Sequence, residues 1–208
     1  RELLIGMAGL GLSALPGAKP TRAAEDTAIP TIAGPDPQPK TPTFKAPAGS
    51  VDTHTHIFGP AATYPFAPKR PYSPPDAPLE MFRKLHDAIG VERAVIVNAT
   101  VHGFDNRVVT DAIAQSGGRY KGVANINNAM SDDELAALGK AGIRACRFAF
   151  LKRLGGVGDM KVFRTLVDRV AAIGWHVDIY LEAGTIQEFV PILKALPVTY
   201  VIDHMGTI

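Results

Sequence analysis

Cysteine is nearly absent from this sequence, which has a single one, Cys146, among 208 residues. One cysteine excludes an internal disulfide framework and a metal site built from cysteines. Cys146 lies in an apolar run, "IRACRFAFL", which favours a small buried side chain over a reactive nucleophile. Catalytic or metal-binding chemistry must therefore come from other residue types.

An excess of charge of either sign is also lacking. The chain has 22 lysines and arginines against 20 aspartates and glutamates, a formal net charge of +2, and the basic residues form no run. This distribution argues against a nucleic-acid or membrane partner. Because 46% of the residues are hydrophobic, the composition is that of a globular protein with one sizeable core.

A hydrophobic run long enough to cross a membrane is missing as well. The apolar stretch at residues 3–15 is too short and too rich in glycine to span a bilayer. Small residues near Ala18 and Ala24 follow it, which predicts a secretory signal in residues 1–24 and an exported or periplasmic protein. A further arginine before Arg1 would make it a twin-arginine signal. The alternative is a poorly ordered leader on a cytoplasmic protein.

Residues 25–48 are rich in proline and polar, which predicts an extended linker. From residue 49 onward, strand-like and helix-like segments alternate, which predicts a parallel α/β architecture. Ser131 and Gly90 have the residue types of a helix N-cap and C-cap, whereas Pro191 speaks against an unbroken last helix. The strand-like segments are 50–57, 92–100, 121–127, 143–151, 176–182 and 199–205, and the helix-like segments are 77–90, 105–118, 131–142, 159–174 and 185–197.

An open doubly wound sheet would show the same alternation, but no G-x-G-x-x-G motif follows the first strand. Polar side chains at the ends of several strands are instead typical of a (β/α)₈ TIM barrel. Such barrels need about 250 residues, so residues 49–208 are predicted to be a partial barrel, truncated after about six strands. The start at Arg1 and the end directly after a strand suggest a fragment of a longer protein.

The pair His54 and His56 in "VDTHTHIFGP" is the strongest chemical signal. Alternate residues of a strand face the same side, so both imidazoles are expected to converge, with Asp52 behind them. Such a pair can hold a metal ion or polarise a carbonyl group. The simpler alternative is two partly exposed polar residues at a strand end.

Two arginines in "GIRACRFAFLKRLGG" form the second signal. Arg147 shares its strand face with Ala145 and Ala149, which suit a crowded barrel interior, and an inward guanidinium needs an anion. Arg153 follows on the loop. Both could bind substrate carboxylates bidentately; alternatively, Arg147 forms an internal ion pair and Arg153 is solvated.

His204 in "VIDHMG" is the third signal, because it ends the sixth strand, and Asp203 is expected to face the opposite side. The alternative is a buried histidine that bonds only to the backbone. Three other histidines have weaker claims: His86 is expected on the surface of the first helix, His102 on a loop that could reach the pocket, and His176 at the wrong end of its strand.

Taken together, these segments, with "RPYSPPDAP" and "VIVNATVHGFDN", resemble the 2-pyrone-4,6-dicarboxylate lactonase family of the amidohydrolase superfamily, in its amidohydrolase-related branch. The resemblance runs from about residue 49 to the end and implies a hydrolase of aromatic catabolism that opens a small anionic lactone. It implies catalytic roles for His54, His56 and His204, and substrate contacts from Arg147, Arg153, Tyr72, Thr100 and Tyr180. Relatives act on sulfomuconolactones and sugar lactones, so these segments indicate the family more specifically than they indicate the substrate. The family's water-activating aspartate matches no position here.

A binuclear metal site is not expected, because the fourth strand offers Arg147, which cannot ligate a cation. The resemblance implies metal-independent hydrolysis without a cofactor. The alternative is one divalent ion, Zn²⁺ or Mn²⁺, on His54, His56 and His204. Competing functions are a metal-dependent amidohydrolase or decarboxylase and a non-catalytic exported binding protein.

Overall fold

The computed structural model describes residues 29–154 and 158–207. The predicted leader, the first residues of the predicted linker and the loop glycines Gly155 and Gly156 lie outside the described residues. Residues 29–48 contain no helix and only an isolated bridge, from Thr31 to Ser73. In the described ranges, no helix has the length and apolar character needed to cross a membrane.

Six strands and five α-helices alternate in the described residues, one in each predicted segment. The strands are β1 (Val51–Thr55), β2 (Arg93–Val97), β3 (Tyr120–Ala124), β4 (Ile143–Ala149), β5 (His176–Tyr180) and β6 (Tyr200–Ile202). The helices are α1 (Leu79–Ile89), α2 (Arg107–Ala114), α3 (Asp132–Lys140), α4 (Met160–Ala172) and α5 (Ile186–Lys194). The predicted parallel α/β architecture is confirmed.

The helix ends follow the residues that the sequence provides. Gly90 ends α1 in the left-handed conformation, with φ 79°, and its N–H donates to the His86 carbonyl. Ser131 and Glu134 form a capping box at the start of α3. Pro191 lies inside α5, which nevertheless continues to Lys194. The predicted last helix is therefore confirmed and unbroken, because one lost hydrogen bond does not outweigh the packing of Phe189 and Leu193 in the core.

The six strands form one parallel sheet in the order β1-β2-β3-β4-β5-β6. In a flat sheet, strands at opposite edges would lie about 24 Å apart, given a spacing of about 4.8 Å. Yet His54 in β1 and Asp203 directly after β6 are 3.3 Å apart. The sheet is therefore strongly curled, as six consecutive units of a (β/α)₈ barrel would be.

The two faces of the curled sheet pack different side chains. Helices cover the convex face, where Ala94 and Ile96 of β2 join the main core. Phe148 and Phe150 also pack on Phe163 of α4, with ring centroids 4.8 and 5.3 Å apart. Small and β-branched residues occupy the concave face: Val97, Val123 and Ala145. The carboxyl ends of the strands open onto this concave side.

Candidate active site at the carboxyl ends of the strands

A buried ion pair forms the centre of the site. Arg147 of β4 donates from Nε to Oδ2 of Asp203 over 2.6 Å, and the two side chains are 5% and 1% exposed. The other oxygen, Oδ1, lies 3.3 Å from Nδ1 of His54. The sequence left open whether Arg147 meets a substrate or an internal acid, and the structure supplies the internal acid, Asp203.

The position of Asp203 corrects the expectation that it faces away from His204. By register, Val201 of β6 lies opposite Asp178 and Ile202 opposite Ile179, so Asp203 continues the inward face of Asp178 and Val201. His204 then reaches the same side because the chain turns after β6, with a left-handed backbone at φ 51°. Strand alternation ends at Ile202 and therefore does not predict the orientation of His204.

His56 is held by a single backbone contact. Its Nδ1 lies 2.8 Å from the carbonyl oxygen of Val97, which can only accept, so Nδ1 carries the proton. Burial lowers the pKa of His56 to about 4, a shift that the hydrogen bond to Val97 only partly opposes. His56 is consequently a neutral imidazole at pH 7 whose Nε2 presents a lone pair. Its ring centroid is 5.2 Å from that of His54.

His204 lies above the ion pair and is largely exposed. Its ring is 4.8 Å from that of His54 and 4.7 Å from that of Tyr180. Nη2 of Arg147 lies 3.4 Å from Nε2 of His204, and a guanidinium can only donate, so Nε2 accepts. The Nδ1–H of a neutral His204 therefore remains available for a ligand. Burial and the nearby His54 lower the pKa of His204, which favours this neutral form.

The remaining predicted contact residues lie on one side of this cluster. Tyr180 stacks under Arg147, 4.5 Å from ring centroid to guanidinium carbon, and its hydroxyl accepts from Nη2 of Arg153 over 2.9 Å. Tyr72 is half-buried; burial raises its pKa, and the nearby charges of Arg147 and Arg153 oppose that shift. Thr100 begins a short 3₁₀ turn after β2 and lines, together with Arg153, a cavity of about 550 Å³.

A second cavity, of about 620 Å³, lies on the concave face itself. His54, Asp203 and His204 line it near the carboxyl ends of the strands, and Val123 and Asp178 line it farther inside. The structure thus brings all eight predicted site residues to the carboxyl-end side of the sheet. Asp203 is the residue of this cluster that sequence reasoning missed.

The three weaker histidine candidates occupy other surroundings. The expectation that His86 lies on the surface of α1 was wrong: it is 2% exposed, and its Nε2 is 3.2 Å from Oδ2 of Asp52. His102 is 3% exposed and packs between Phe58 and Phe66 rather than reaching the pocket. His176 begins β5, at the end of the strand opposite the cluster, as expected.

Comparison with known proteins decides the family. The family model described as Amidohydrolase matches residues 51–208, which are most of the chain. The chain belongs to the amidohydrolase family. The expected superfamily is therefore confirmed, and the cluster at the carboxyl ends of the strands lies within the matched residues.

Two curated relatives of the chain are named as hydrolases. The chain is 46% identical over 168 residues to the 2-pyrone-4,6-dicarboxylate hydrolase of Comamonas testosteroni, an alignment that covers 81% of this chain and 55% of that protein. It is 34% identical over 186 residues to the 4-sulfomuconolactone hydrolase of Rhizobium radiobacter, covering 89% of this chain and 62% of that protein. The chain thus spans somewhat more than half the length of these relatives.

A solved structure of a probable 2-pyrone-4,6-dicarboxylic acid hydrolase from Acinetobacter baumannii has the same fold. It superimposes with a TM-score of 0.67 at 24% identity, over 75% of this chain and 58% of the other. At this level of identity the similarity concerns the fold alone.

The geometry of the site shows how well its side chains could bind a single metal ion. His54, His204 and Asp203 each offer a ligand atom, and these atoms lie within 4.8 Å of one another. However, Asp203 already accepts hydrogen bonds from Arg147 and His54, and the Arg147 guanidinium would repel a cation. One ion fits only if Asp203 exchanges both contacts for it, so the residues present fit an ion poorly.

Proposed function

We propose that this protein hydrolyses a small anionic lactone without a metal ion, and that further strands close its sheet into a (β/α)₈ barrel. The observation that supports this proposal best is the convergence of three imidazoles and two guanidiniums on one concave surface: His54, His56, His204, Arg147 and Arg153. The two relatives named as lactone hydrolases support the substrate class.

Each group has the hydrogen-bonding state that lactone opening requires. The Nδ1–H of His204 is free to donate to the lactone carbonyl oxygen and to stabilise the oxyanion that forms on it. Nε2 of His54 is buried and has no partner among the described residues, while its Nδ1 faces the Asp203 carboxylate. His54 is thus placed to accept the proton of an attacking water, with Asp203 stabilising the imidazolium that results. His56 lies beside it as a neutral acceptor.

Arg153 is the group that we assign to a carboxylate of the substrate. Arg147 is neutralised by Asp203, whereas among the described residues the hydrogen-bond acceptor of Arg153 is a neutral hydroxyl, that of Tyr180. The charge of Arg153 therefore remains available to an anion, with Thr100 and Tyr72 as nearby hydroxyl groups. Arg147 stacks on the ring of Tyr180 and so fixes the ring whose hydroxyl contacts Arg153.

A panel of lactones tests the proposal. We expect hydrolysis of lactones with one or two carboxylates and little hydrolysis of neutral lactones of the same ring size. Arg153→Met should raise KM for the anionic lactones about tenfold or more and change kcat little, because a charge-assisted contact made in both ground and transition state is lost. Arg153→Lys is the matched control that keeps the charge. Its KM should lie between those of the wild type and Arg153→Met. An unchanged KM in Arg153→Met would contradict the assignment.

A single-ion amidohydrolase is the second candidate, because the ligand atoms of His54, His204 and Asp203 lie close together. Elemental analysis of purified protein separates the two candidates. Substoichiometric metal and full activity after dialysis against a chelator are expected for the metal-independent enzyme. One equivalent of zinc or manganese, with activity lost on chelation and restored by the ion, would support the alternative.

A further inference from the structure

A second aspartate–histidine pair lies on the convex side of β1, outside the site described above. Asp52 of β1 accepts from Nε2 of His86 in α1 over 3.2 Å, and His86 is almost fully buried. We infer that Asp52 and His86 are positioning residues, which hold the segment of β1 that carries the catalytic His54. The inference rests on the proposed function in assigning catalysis to His54.

The register of β1 shows why this segment needs support. Asp52 lies opposite Ala94 and Thr55 opposite Ile96, so three steps along β1 match two steps along β2. One extra residue is therefore accommodated between Asp52 and Thr55, as in a β-bulge. Because of this shift, Asp52 faces the helices, as Ala94 and Ile96 do, while His54 turns to the concave side. Unbroken alternation would place Asp52 on the face of His54 and His56, and the extra residue prevents this.

One carboxylate connects this irregular segment to α1. Oδ1 of Asp52 accepts from the backbone N–H of His54 over 3.2 Å, and Oδ2 accepts from His86. The first contact fixes the backbone of the residue whose imidazole faces Asp203. The second contact fixes the carboxylate itself, so that a change in α1 is transmitted to His54 through two hydrogen bonds.

Packing alone does not explain a histidine at position 86. Its ring lies 4.0 Å from that of Phe82, centroid to centroid, in an apolar layer that also contains Leu79. Nδ1 of His86 is buried and has no hydrogen-bond partner among the described residues. An apolar side chain would fill this space without an unpaired polar atom, so the Nε2–H that His86 donates to Asp52 is the function that only a polar side chain supplies.

Steady-state kinetics of His86→Phe and His86→Gln test the inference. His86→Phe keeps an aromatic ring against Phe82 but removes the N–H donor. We expect kcat on the anionic lactone to fall about tenfold or more with KM changed less than about threefold, because small displacements of a catalytic group reduce the rate without weakening binding. His86→Gln, which restores an N–H donor, should recover kcat to within about threefold of the wild type.

Phe82→Leu is the matched control, since it disturbs the same layer without touching Asp52. It should lower Tm as His86→Phe does and leave kcat unchanged. The positioning role is overturned if His86→Phe retains the wild-type kcat or if Phe82→Leu lowers kcat as much as His86→Phe does. It is also overturned if the kcat of His86→Gln is no higher than that of His86→Phe. Should His86→Phe fail to fold, Asp52→Asn decides: the two donors meet different oxygens of Asp52, and the amide replaces one of these oxygens by an NH₂ donor, so one contact is lost and kcat must fall.

A readout without substrate keeps the two proposals separate. The backbone amide and imidazole NMR signals of His54 should shift in His86→Phe and Asp52→Asn but stay in place in Phe82→Leu. Wild-type protein that hydrolyses no lactone would count against the proposed function alone. Unmoved His54 signals in both Asp52 and His86 variants would count against the positioning role alone.

Discussion

Two aspartate–histidine pairs lie on opposite faces of β1 and differ in their surroundings. Asp203, on the concave face, is 1% exposed and contacts both His54 and Arg147. Asp52, on the convex face, is 33% exposed, and its described partners are His86 and the His54 amide. The enclosed carboxylate has a guanidinium to offset its desolvation, whereas the half-exposed carboxylate retains water and needs none.

The pKa values of both carboxyl groups lie below the ordinary value, for different reasons. Burial by itself would raise the pKa of Asp203, but the hydrogen bond from His54 and the positive charge of Arg147 outweigh it. For Asp52, the hydrogen bond from His86 is the largest cause, and the His54 amide adds to it against a smaller effect of burial. Both groups are therefore ionised at neutral pH: hydrogen bonds lower both pKa values, and the charge of the Arg147 guanidinium acts on Asp203 in addition.

The largest difference between the two pairs is expected in the free energy of unfolding when each aspartate is replaced by asparagine. Asp203→Asn leaves Arg147 buried without an anion, so we expect a loss of about 3–5 kcal/mol in the free energy of unfolding and at least a hundredfold loss of kcat. Asp52→Asn keeps one acceptor and should cost about 1–2 kcal/mol. Urea unfolding of both variants measures the difference; equal losses would show that Arg147 does not depend on Asp203.

The elements of the concave site were largely predictable, because period and composition are local signals. Apolar runs, Ser131 and Gly90 marked the strands and helix ends, and the small residues Ala145 and Ala149 assigned the face of Arg147 correctly. The convergence of the predicted site residues was also predictable, because the carboxyl ends of parallel strands lie on the same side of the sheet.

Strand alternation alone does not predict the orientations of Asp52, Asp203 and His204, because they depend on local breaks in that alternation. The extra residue in β1 reverses the face of Asp52, and the left-handed turn at His204 brings it beside Asp203 instead of opposite to it. The break in β1 has no glycine or proline beside it, whereas the turn after β6 ends at Gly206, with φ 75°. The burial of His86, in contrast, was available in the sequence: with Leu79 and Phe82 it follows the helical spacing of a single buried face.

The pH dependence of stability should sharpen the contrast, because His56 is a buried neutral imidazole on the concave side. Its pKa is about 4 when folded and near the ordinary 6.5 when unfolded, so between these values the unfolded chain binds the additional proton. Stability should therefore fall as pH decreases from 6.5 to 4, by up to about 1.4 kcal/mol per pH unit for this one group. Below that window, protonation of Asp203 and Asp52 removes further stability, since their folded pKa values are lowered.

Urea unfolding at about pH 7, 5.5 and 4.5, that is, once above the window and twice within it, measures this slope. His56→Gln keeps a hydrogen-bond donor for the Val97 carbonyl but cannot titrate, so its curve should be flatter than that of the wild type over the same range. Parallel curves for the two proteins would mean that folding does not lower the pKa of His56.

The smallest effect is expected at an aspartate that water already surrounds. Asp132, in the first turn of α3, is 85% exposed and accepts from Nε of Arg169 over 2.8 Å, a distance similar to that of the buried pair. Since water solvates both charges when they separate, Asp132→Asn should cost less than about 1 kcal/mol, and 0.5 M salt should reduce even that. A loss as large as that of Asp203→Asn, measured by the same urea unfolding, would show that hydrogen-bond length rather than enclosure determines what a carboxylate contributes here.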